Sequence, residues 1–204
     1  MKSIKHILFI IGLIVISSVA QAQFFKASLV SAANFAQVDG DHIAGYNKLG
    51  LHLGISISHE IDDIQSVGFE LAYAQKGSKL VNDPKAVIQP NYIIKSSYID
   101  FPLFYERKVG AIENLSVQTG VSIGANLSGT IDDGPRVSNA NFQSLELAFL
   151  VGGTYQLSDK LGFRIRHSNS ISKISNDLPV NSRRLFNRPG MYNRWYTVGL
   201  VYQL

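Results

Sequence analysis

Residues 192–204 read Tyr192-Asn-Arg-Trp-Tyr-Thr-Val-Gly-Leu-Val-Tyr-Gln-Leu204, and this stretch decides the fold. Alternate positions form a largely apolar set with aromatic rings at both ends: Tyr192, Arg194, Tyr196, Val198, Leu200, Tyr202 and Leu204. The other set is mostly small or polar: Asn193, Trp195, Thr197, Gly199, Val201 and Gln203. A period of two indicates a β-strand. An aromatic–aliphatic–aromatic face is typical of a barrel strand that faces lipid, so the stretch predicts the closing strand of such a barrel.

The rest of the chain repeats this alternation in seven further segments. In most of them one parity is apolar and nearly free of charge, while the other carries glycines, serines and charged side chains; in the first, residues 24–34, the alternation is weak. The eight candidate strands cover residues 24–34, 49–58, 67–74, 92–108, 115–127, 144–157, 161–172 and 192–204. Long and short connections alternate, and the long loops fall at residues 35–48, 78–91, 128–143 and 176–191. These regularities predict an all-β fold, an eight-stranded antiparallel transmembrane β-barrel with both chain ends on the periplasmic side.

Two positions limit the predicted strands. Pro102 lies inside the fourth strand and has no amide hydrogen, so we expect a bend or an interrupted hydrogen-bond ladder there. In the third strand we end the alternation at Ala74 and assign Lys76 to the polar loop that follows.

The first 22 residues resemble a secretory signal peptide in their organisation. Lys2 and Lys5 precede an apolar run at residues 7–16, and small residues at positions 19–22 suit a cleavage site. A membrane-anchoring helix is the alternative, but the apolar run is too short to span a bilayer comfortably. We therefore expect residues 1–22 to be removed, which leaves a single barrel domain at residues 23–204.

A soluble eight-stranded barrel of the lipocalin kind is the main alternative fold. It requires the apolar face inside and the polar face outside. Here small and charged side chains share the polar face, and they suit a narrow interior. The apolar face is nearly free of charge and would form a very large exposed patch in water. The pattern therefore favours the membrane barrel.

Composition excludes several functional classes. The formal charge of +4 falls to about +2 once Lys2 and Lys5 are removed, and no run of lysine and arginine suits nucleic acid. There is no cysteine, so neither a disulfide framework nor a thiolate metal site is possible. The histidines His42, His52 and His59 do not have the spacing of metal ligands. We expect no cofactor, no metal and no nucleic-acid partner.

Five stretches carry a resemblance to a known family: Leu49-Gly-Leu-His-Leu-Gly54, Phe69-Glu-Leu-Ala-Tyr-Ala-Gln-Lys-Gly77, Tyr98-Ile-Asp-Phe-Pro-Leu-Phe-Tyr105, Gly120-Val-Ser-Ile-Gly124 and Val198-Gly-Leu-Val-Tyr202. Together they make residues 24–204 resemble the outer-membrane β-barrel domain of Bacteroidetes-type bacteria, often called PorT-like. Leu204 stands where that family more often has phenylalanine. The resemblance implies a barrel in the bacterial outer membrane. It implies little about activity, although one branch is associated with a protein-secretion apparatus.

Six charged residues share the inward parity of the predicted strands: Glu70, Asp100, Glu106, Glu146, Arg164 and Arg166. Charges in a narrow interior must pair or be hydrated. One interpretation is an ion or proton path. The other is an internal salt-bridge network that plugs and stiffens the barrel. We favour the network, because eight strands leave little open lumen.

The segment Arg166-His-Ser-Asn-Ser170 is similar to the His- and Ser-bearing strand of outer-membrane lipid A deacylases. Those enzymes need both side chains on one face, so that the imidazole can take the hydroxyl proton. Here His167 and Ser168 are adjacent and point to opposite faces, and Asn169 stands two residues after His167. A polar strand end near the outer rim is the favoured interpretation, and we expect no enzyme.

The last long loop carries a basic cluster, Arg183, Arg184 and Arg188, with Arg194 just beyond it. The cluster could contact lipopolysaccharide phosphates or an acidic partner, or it could be a solvated outer loop.

These patterns together predict a non-enzymatic outer-membrane protein with a structural, surface-binding or assembly role, possibly related to secretion, that acts through its extracellular loops. Expected partners are outer-membrane lipid and lipopolysaccharide, the barrel-assembly machinery during insertion, and an envelope protein. The alternatives are a small solute or ion pore and, third, a lipid A-modifying enzyme.

Overall fold

The computed structural model describes residues 25–41, 43–81, 92–175 and 190–204. Their strands are β1 (Phe25–Asp39), β2 (Lys48–Glu60), β3 (Gln65–Lys79), β4 (Ile93–Lys108), β5 (Leu115–Asp132), β6 (Val137–Asn139), β7 (Leu145–Gln156), β8 (Leu161–Ser170) and β9 (Tyr192–Gln203). Eight long strands pair antiparallel in one ring, which the β1–β9 and β4–β5 pairings close. β6 is a short addition to the edge of β5. The structure confirms the predicted eight-stranded antiparallel barrel. Across the described ranges, no helix is long and apolar enough to cross a lipid bilayer.

The strand register fixes the width of the barrel. Starting from Phe35, directly paired residues lead around the ring through β9, β8, β7, β5, β4, β3 and β2 and return to β1 at Phe25. The circuit therefore closes with an offset of ten residues, which means that the strands tilt relative to the barrel axis. Eight tilted strands enclose an interior just wide enough for side chains to fill.

The two faces of the sheet have opposite chemistry. Along β2 the exposed side chains are Leu49, Leu51, Leu53, Ile55 and Ile57. Between them, His52 and Ser56 are buried in the interior. This pattern continues around the ring, so the outside of the barrel is an apolar band and the inside is polar. A soluble lipocalin-like barrel has the reverse arrangement and is therefore excluded.

Three of the predicted loops are shorter than expected. β1 continues to Asp39, β3 to Lys79 and β5 to Asp132, because pairing with the neighbouring strands continues past the apolar band. The assignment of Lys76 to a loop was wrong, since it lies within β3. Residues 1–22, residues 82–91 of the second loop and residues 176–189 of the last loop lie outside the described residues.

The C-terminal strand departs from its predicted pattern at one end. Tyr192 was expected to face outward, but only 2% of it is exposed. It follows Met191, whose carbonyl accepts a hydrogen bond from the Ile174 amide. This end of β9 therefore lies among the connections beyond the apolar band. From Asn193 onward the predicted alternation holds.

Pro102 interrupts the ladder as predicted. The β3–β4 pairing passes from Phe69–Leu103 directly to Ala72–Asp100. On its other side, Pro102 keeps its register opposite Ser122 of β5. The missing amide hydrogen thus affects one side of the strand only.

Candidate functional site

The barrel has two different ends, which we name by their connections. The turn end carries the short connections at residues 61–64, 109–114 and 157–160, and the loop end carries the long ones. From the turn end toward the loop end, the interior contains a cavity, an arginine–glutamate centre, a lysine centre and an apolar cap.

The cavity at the turn end, here called the vestibule, has a volume of about 700 Å³ and opens to the surface. Small hydroxyl side chains from several strands line its wall: Ser28, Ser56, Ser58, Ser66, Ser116 and Thr154. Phe104 and Arg164 lie at its inner end and are 4% and 7% exposed. The vestibule therefore ends at the arginine–glutamate centre.

Glu70 is the hub of that centre. Its carboxylate accepts a hydrogen bond from Arg164 Nη1 at 2.9 Å and lies 3.4 Å from Arg166 Nη2. His52 Nε2 lies 2.7 Å from the other carboxylate oxygen. The Phe104 ring lies near both guanidinium groups, with its centroid 5.7 Å from Arg164 Cζ and 5.3 Å from Arg166 Cζ. Buried charges are stable only when they are paired and hydrogen-bonded, and this arrangement meets that condition.

Lys76 forms a second centre nearer the loop end. Its ammonium Nζ donates hydrogen bonds of 2.9 Å to Asp100 and to Glu146. The same atom lies 3.8 Å from the centroid of a Trp195 ring and 4.4 Å from that of Tyr98, so two rings add cation–π attraction. Lys76 is only 1% exposed.

The sequence does carry a signal for the inward position of Lys76. It shares the parity of Glu70, and the strand had only to continue for the side chain to face inward. The sequence interpretation also gave no role to His52, Trp195 or Tyr98, because an isolated histidine or aromatic residue does not predict its partners.

An apolar cap closes the loop end of the interior. Its buried members are Val38, Ile94, Ile174 and Met191. Tyr92, Ile131 and Phe142 pack against them. The Gln143 amide donates to the Ile174 carbonyl, which fixes two outer connections to each other. A cap of this kind excludes water from the interior beneath it.

All six predicted interior charges point into the barrel, but they do not form a single network of ion pairs. Only Glu70 pairs with the two arginines, whereas Asp100 and Glu146 pair with Lys76. Glu106 accepts hydrogen bonds from Ser116 and Gln118 instead.

His167 and Ser168 lie on opposite faces of β8. Ser168 is buried in the interior and 2% exposed. The His167 ring is on the outer face, with its centroid 4.7 Å from that of Tyr196 and its Nε2 3.5 Å from the Tyr46 hydroxyl. The histidine therefore cannot take a proton from the neighbouring serine.

The predicted basic loop cluster, Arg183, Arg184 and Arg188, lies outside the described residues. Arg194 lies on the outer wall and forms an ion pair with Asp39. Within the ranges that the structure describes, no group of three or more His, Asp or Glu side chains could hold a metal ion.

Comparison with known families decides the class of this barrel. The family model described as "Outer membrane protein beta-barrel domain" matches residues 21–176. The chain belongs to this family. As a member of this family, the protein is located in the bacterial outer membrane. Barrels of this class have short turns on the periplasmic side and long loops outside the cell.

Solved structures show the same fold. The neisserial surface protein NspA has 16% sequence identity and a TM-score of 0.51, and the match covers 88% of this chain and 97% of NspA. The attachment invasion locus protein Ail of Yersinia pestis has 12% identity and a TM-score of 0.50, with the same coverage. At these identities the likeness establishes the fold alone. No curated protein matches this family member in sequence.

Proposed function

We propose that this protein is a non-enzymatic outer-membrane barrel that is sealed by its own side chains and acts at the cell surface through its outer connections. The burial of Lys76 between two carboxylates and two rings carries the proposal. A conducting lumen needs a continuous water path, but Glu70, Lys76 and Arg166 are each 2% exposed or less. The apolar cap then separates these charges from the outer side.

The outer end of the barrel is an ordered surface with exposed side chains that suit contact with a partner. β4 and β5 stay paired as far as Ile93 and Asp132, and β6 adds a third strand to that extension. Val137 of β6 is 68% exposed. Paired strands hold their exposed side chains in fixed positions, which suits recognition of a macromolecule rather than enclosure of a small solute.

The basic loop residues define the chemistry of the proposed partner. Arg183, Arg184 and Arg188 favour an anionic group, either lipopolysaccharide phosphate or an acidic envelope protein. The similar barrel Ail was solved in complex with the heparin analogue sucrose octasulfate, a polyanion. A place in the secretion-associated PorT-like branch is part of this proposal. So are removal of residues 1–22 on export and insertion by the barrel-assembly machinery.

Two alternatives stand against this role. The enzyme alternative needs His167 and Ser168 together, and they lie on opposite faces. The pore alternative draws on the vestibule, which is large enough to admit a small polar solute from the periplasm. For a solute to cross the barrel, a pore also needs an open path from the vestibule through the lysine centre and the apolar cap.

Isolation of the tagged protein from its native outer membrane in gentle detergent tests the surface role. The R183Q/R184Q/R188Q variant removes three charges from the last loop. The K26Q/K108Q/K160Q variant, called the turn-end control, removes three charges at the periplasmic end. We expect a stoichiometric outer-membrane component to co-purify with the wild type and the turn-end control and to fall at least tenfold with the loop variant.

Conductance in planar bilayers completes the test. We expect the wild type to give no unitary current steps. Reproducible current steps would show that the protein is a pore. In the co-purification test, equal amounts of the component with all three proteins would show that the loop arginines do not contribute to the contact.

A further inference from the structure

Three lysines come together at the loop end of the barrel. They are Lys48 at the start of β2, Lys79 at the end of β3 and Lys95 near the start of β4. The strand register places Lys95 opposite Gly77, two residues from Lys79, and Lys48 and Lys95 line one pocket. Within the described part of the chain, none of the three forms an ion pair with a carboxylate. Like charges held together repel one another, so an anion bound among them is stabilised.

Polar side chains surround these lysines. Two of the lysines, Lys48 and Lys95, line a pocket of about 260 Å³ together with Gln75, Ser96, Ser97, Ser128 and Thr130, and Lys79 lies outside that lining. The strand register places Lys95 opposite Thr130, and Ser97 opposite Ser128. Ser96 is 3% exposed, and its hydroxyl has no hydrogen-bond partner among the residues that the structure describes. The pocket thus offers hydroxyl donors beside the ammonium groups. The Asp132 carboxylate lies two residues beyond Thr130 and accepts a hydrogen bond from the Gly134 amide.

The position of the pocket relative to the membrane identifies its ligand. Below it on β3 is Tyr73, which follows the lipid-facing Val67, Phe69 and Leu71. The Tyr73 hydroxyl lies 3.2 Å from Ser97 Oγ and accepts a hydrogen bond from Gln75 Nε2 at 3.1 Å. Aromatic residues at this place in a barrel mark the boundary between hydrocarbon and headgroups. The lysines therefore lie at the depth of the outer-leaflet headgroups.

We propose that this pocket and the neighbouring Lys79, together called the three-lysine site, bind a phosphate group of an outer-leaflet lipid headgroup. A phosphate ester offers several acceptor oxygens and at least one negative charge, which matches three ammonium groups and neighbouring hydroxyls. Lipid held at this depth also keeps its acyl chains against the exposed Leu51 and Leu53 of β2. The inference deepens the lipid contact proposed above and shares with it the assumption that the loop end faces outward. It does not involve the loop arginines.

Binding of diphosphorylated lipid A to the mature protein in nanodiscs tests the site. The K48Q/K79Q/K95Q variant removes its charges, and the turn-end control removes three charges at the opposite end. Dephosphorylated lipid A and inorganic phosphate are the two other probes. Native-like folding of each protein is checked by its heat-dependent mobility on gels, and K95Q alone serves if the triple variant does not fold.

We expect the triple variant to bind diphosphorylated lipid A about a hundredfold more weakly, from roughly a factor of five for each lysine near an anionic surface. The turn-end control should bind as the wild type does, and dephosphorylated lipid A should bind weakly to all three. An equal loss in both variants would mean general charge attraction and overturn the site. Inorganic phosphate binding as tightly as the lipid would assign the pocket to a free anion instead. If the site fails, the co-purification test of the loop arginines still stands on its own.

Discussion

Lys76 shows at the residue scale how this barrel tolerates charge in its interior. A buried ammonium is costly unless hydrogen bonds and opposite charges replace its hydration, and Asp100, Glu146 and two rings do so. The same logic makes the pair of carboxylates dependent on the lysine, because they would otherwise be like charges in contact.

Replacement of Lys76 by methionine should therefore be strongly destabilising. We expect Lys76→Met to lower the free energy of unfolding by about 3–5 kcal/mol, the usual effect of leaving a buried charge without its partner. Urea unfolding in lipid vesicles measures it. The matched control is Lys26→Met, which breaks the exposed Lys26–Glu60 pair and should cost about 1 kcal/mol or less. Equal losses in the two variants would refute the role of burial, and K76M/D100N/E146Q should recover part of the loss.

Asp41, in the first outer connection, gives a pH-dependent prediction. Burial raises the pKa of its carboxyl above the ordinary 3.8, although hydrogen bonds from the Ser78 hydroxyl and the Ile43 amide act in the opposite direction. The folded connection therefore holds the proton to higher pH than the unfolded chain does. The resulting stabilisation is fully present below pH 3.8 and is lost as the pH rises through the raised pKa.

NMR titration of the Asp41 carboxyl carbon measures this pKa directly. Urea unfolding at a series of pH values should show the loss of stability as Asp41 ionises, and Asp41→Asn should remove that part of the pH dependence. A midpoint at or below 3.8 would show that the hydrogen bonds outweigh burial.

At the element scale, the strands explain what the sequence could and could not predict. Within the lipid band most outward side chains are apolar, so the period of two was unambiguous for strands such as β2. Beyond the band the outward positions meet water, and the strands continue with polar side chains such as Gln75 and Lys79. The pattern therefore ended before the strand did, and Lys76 was missed for that reason. The ion-pair partners of the interior charges could also not be predicted from the sequence, because they depend on the strand register around the whole ring.

The backbone conformation of β3 directly after Lys76 requires a glycine at position 77. Its φ of +133° is unfavourable for other residues, and a Cβ there would lie 2.0 Å from the Ile94 carbonyl oxygen. We expect Gly77→Ala to cost about 1–3 kcal/mol of unfolding free energy. Gly110→Ala is the control, because no atom lies within 4 Å of its Cβ position. Thermal or urea unfolding compares them, and equal stability of the two variants would contradict the close approach seen here.

At the scale of the whole molecule, the described residues leave the interior open at the turn end and cover it at the loop end. The chain contains no cysteine, so single Ser→Cys variants report access without background. Ser58 lines the vestibule, Ser122 is 3% exposed in the middle of the lumen, and Ser138 is exposed on β6.

A membrane-impermeant thiol reagent should label these three variants differently. We expect Ser58→Cys to react only from the periplasmic side and Ser138→Cys only from outside, while Ser122→Cys reacts from neither. Mass spectrometry of the labelled protein measures the extent of reaction. Rapid labelling of Ser122→Cys from either side would mean that the interior is not sealed.

The pairing of β1 with β9 also constrains how this protein is made. The two strands that meet at the closure are separated by more than a hundred and fifty residues in the chain, as in the Asp39–Tyr192 pair. Until β9 arrives, β1 and β8 each present a row of unpaired amide and carbonyl groups, which hydrocarbon cannot satisfy. A nascent chain that lacks β9 therefore has no stable position in the bilayer, even when all its other strands are paired. Stable insertion has to wait until the last strand of the chain has been made.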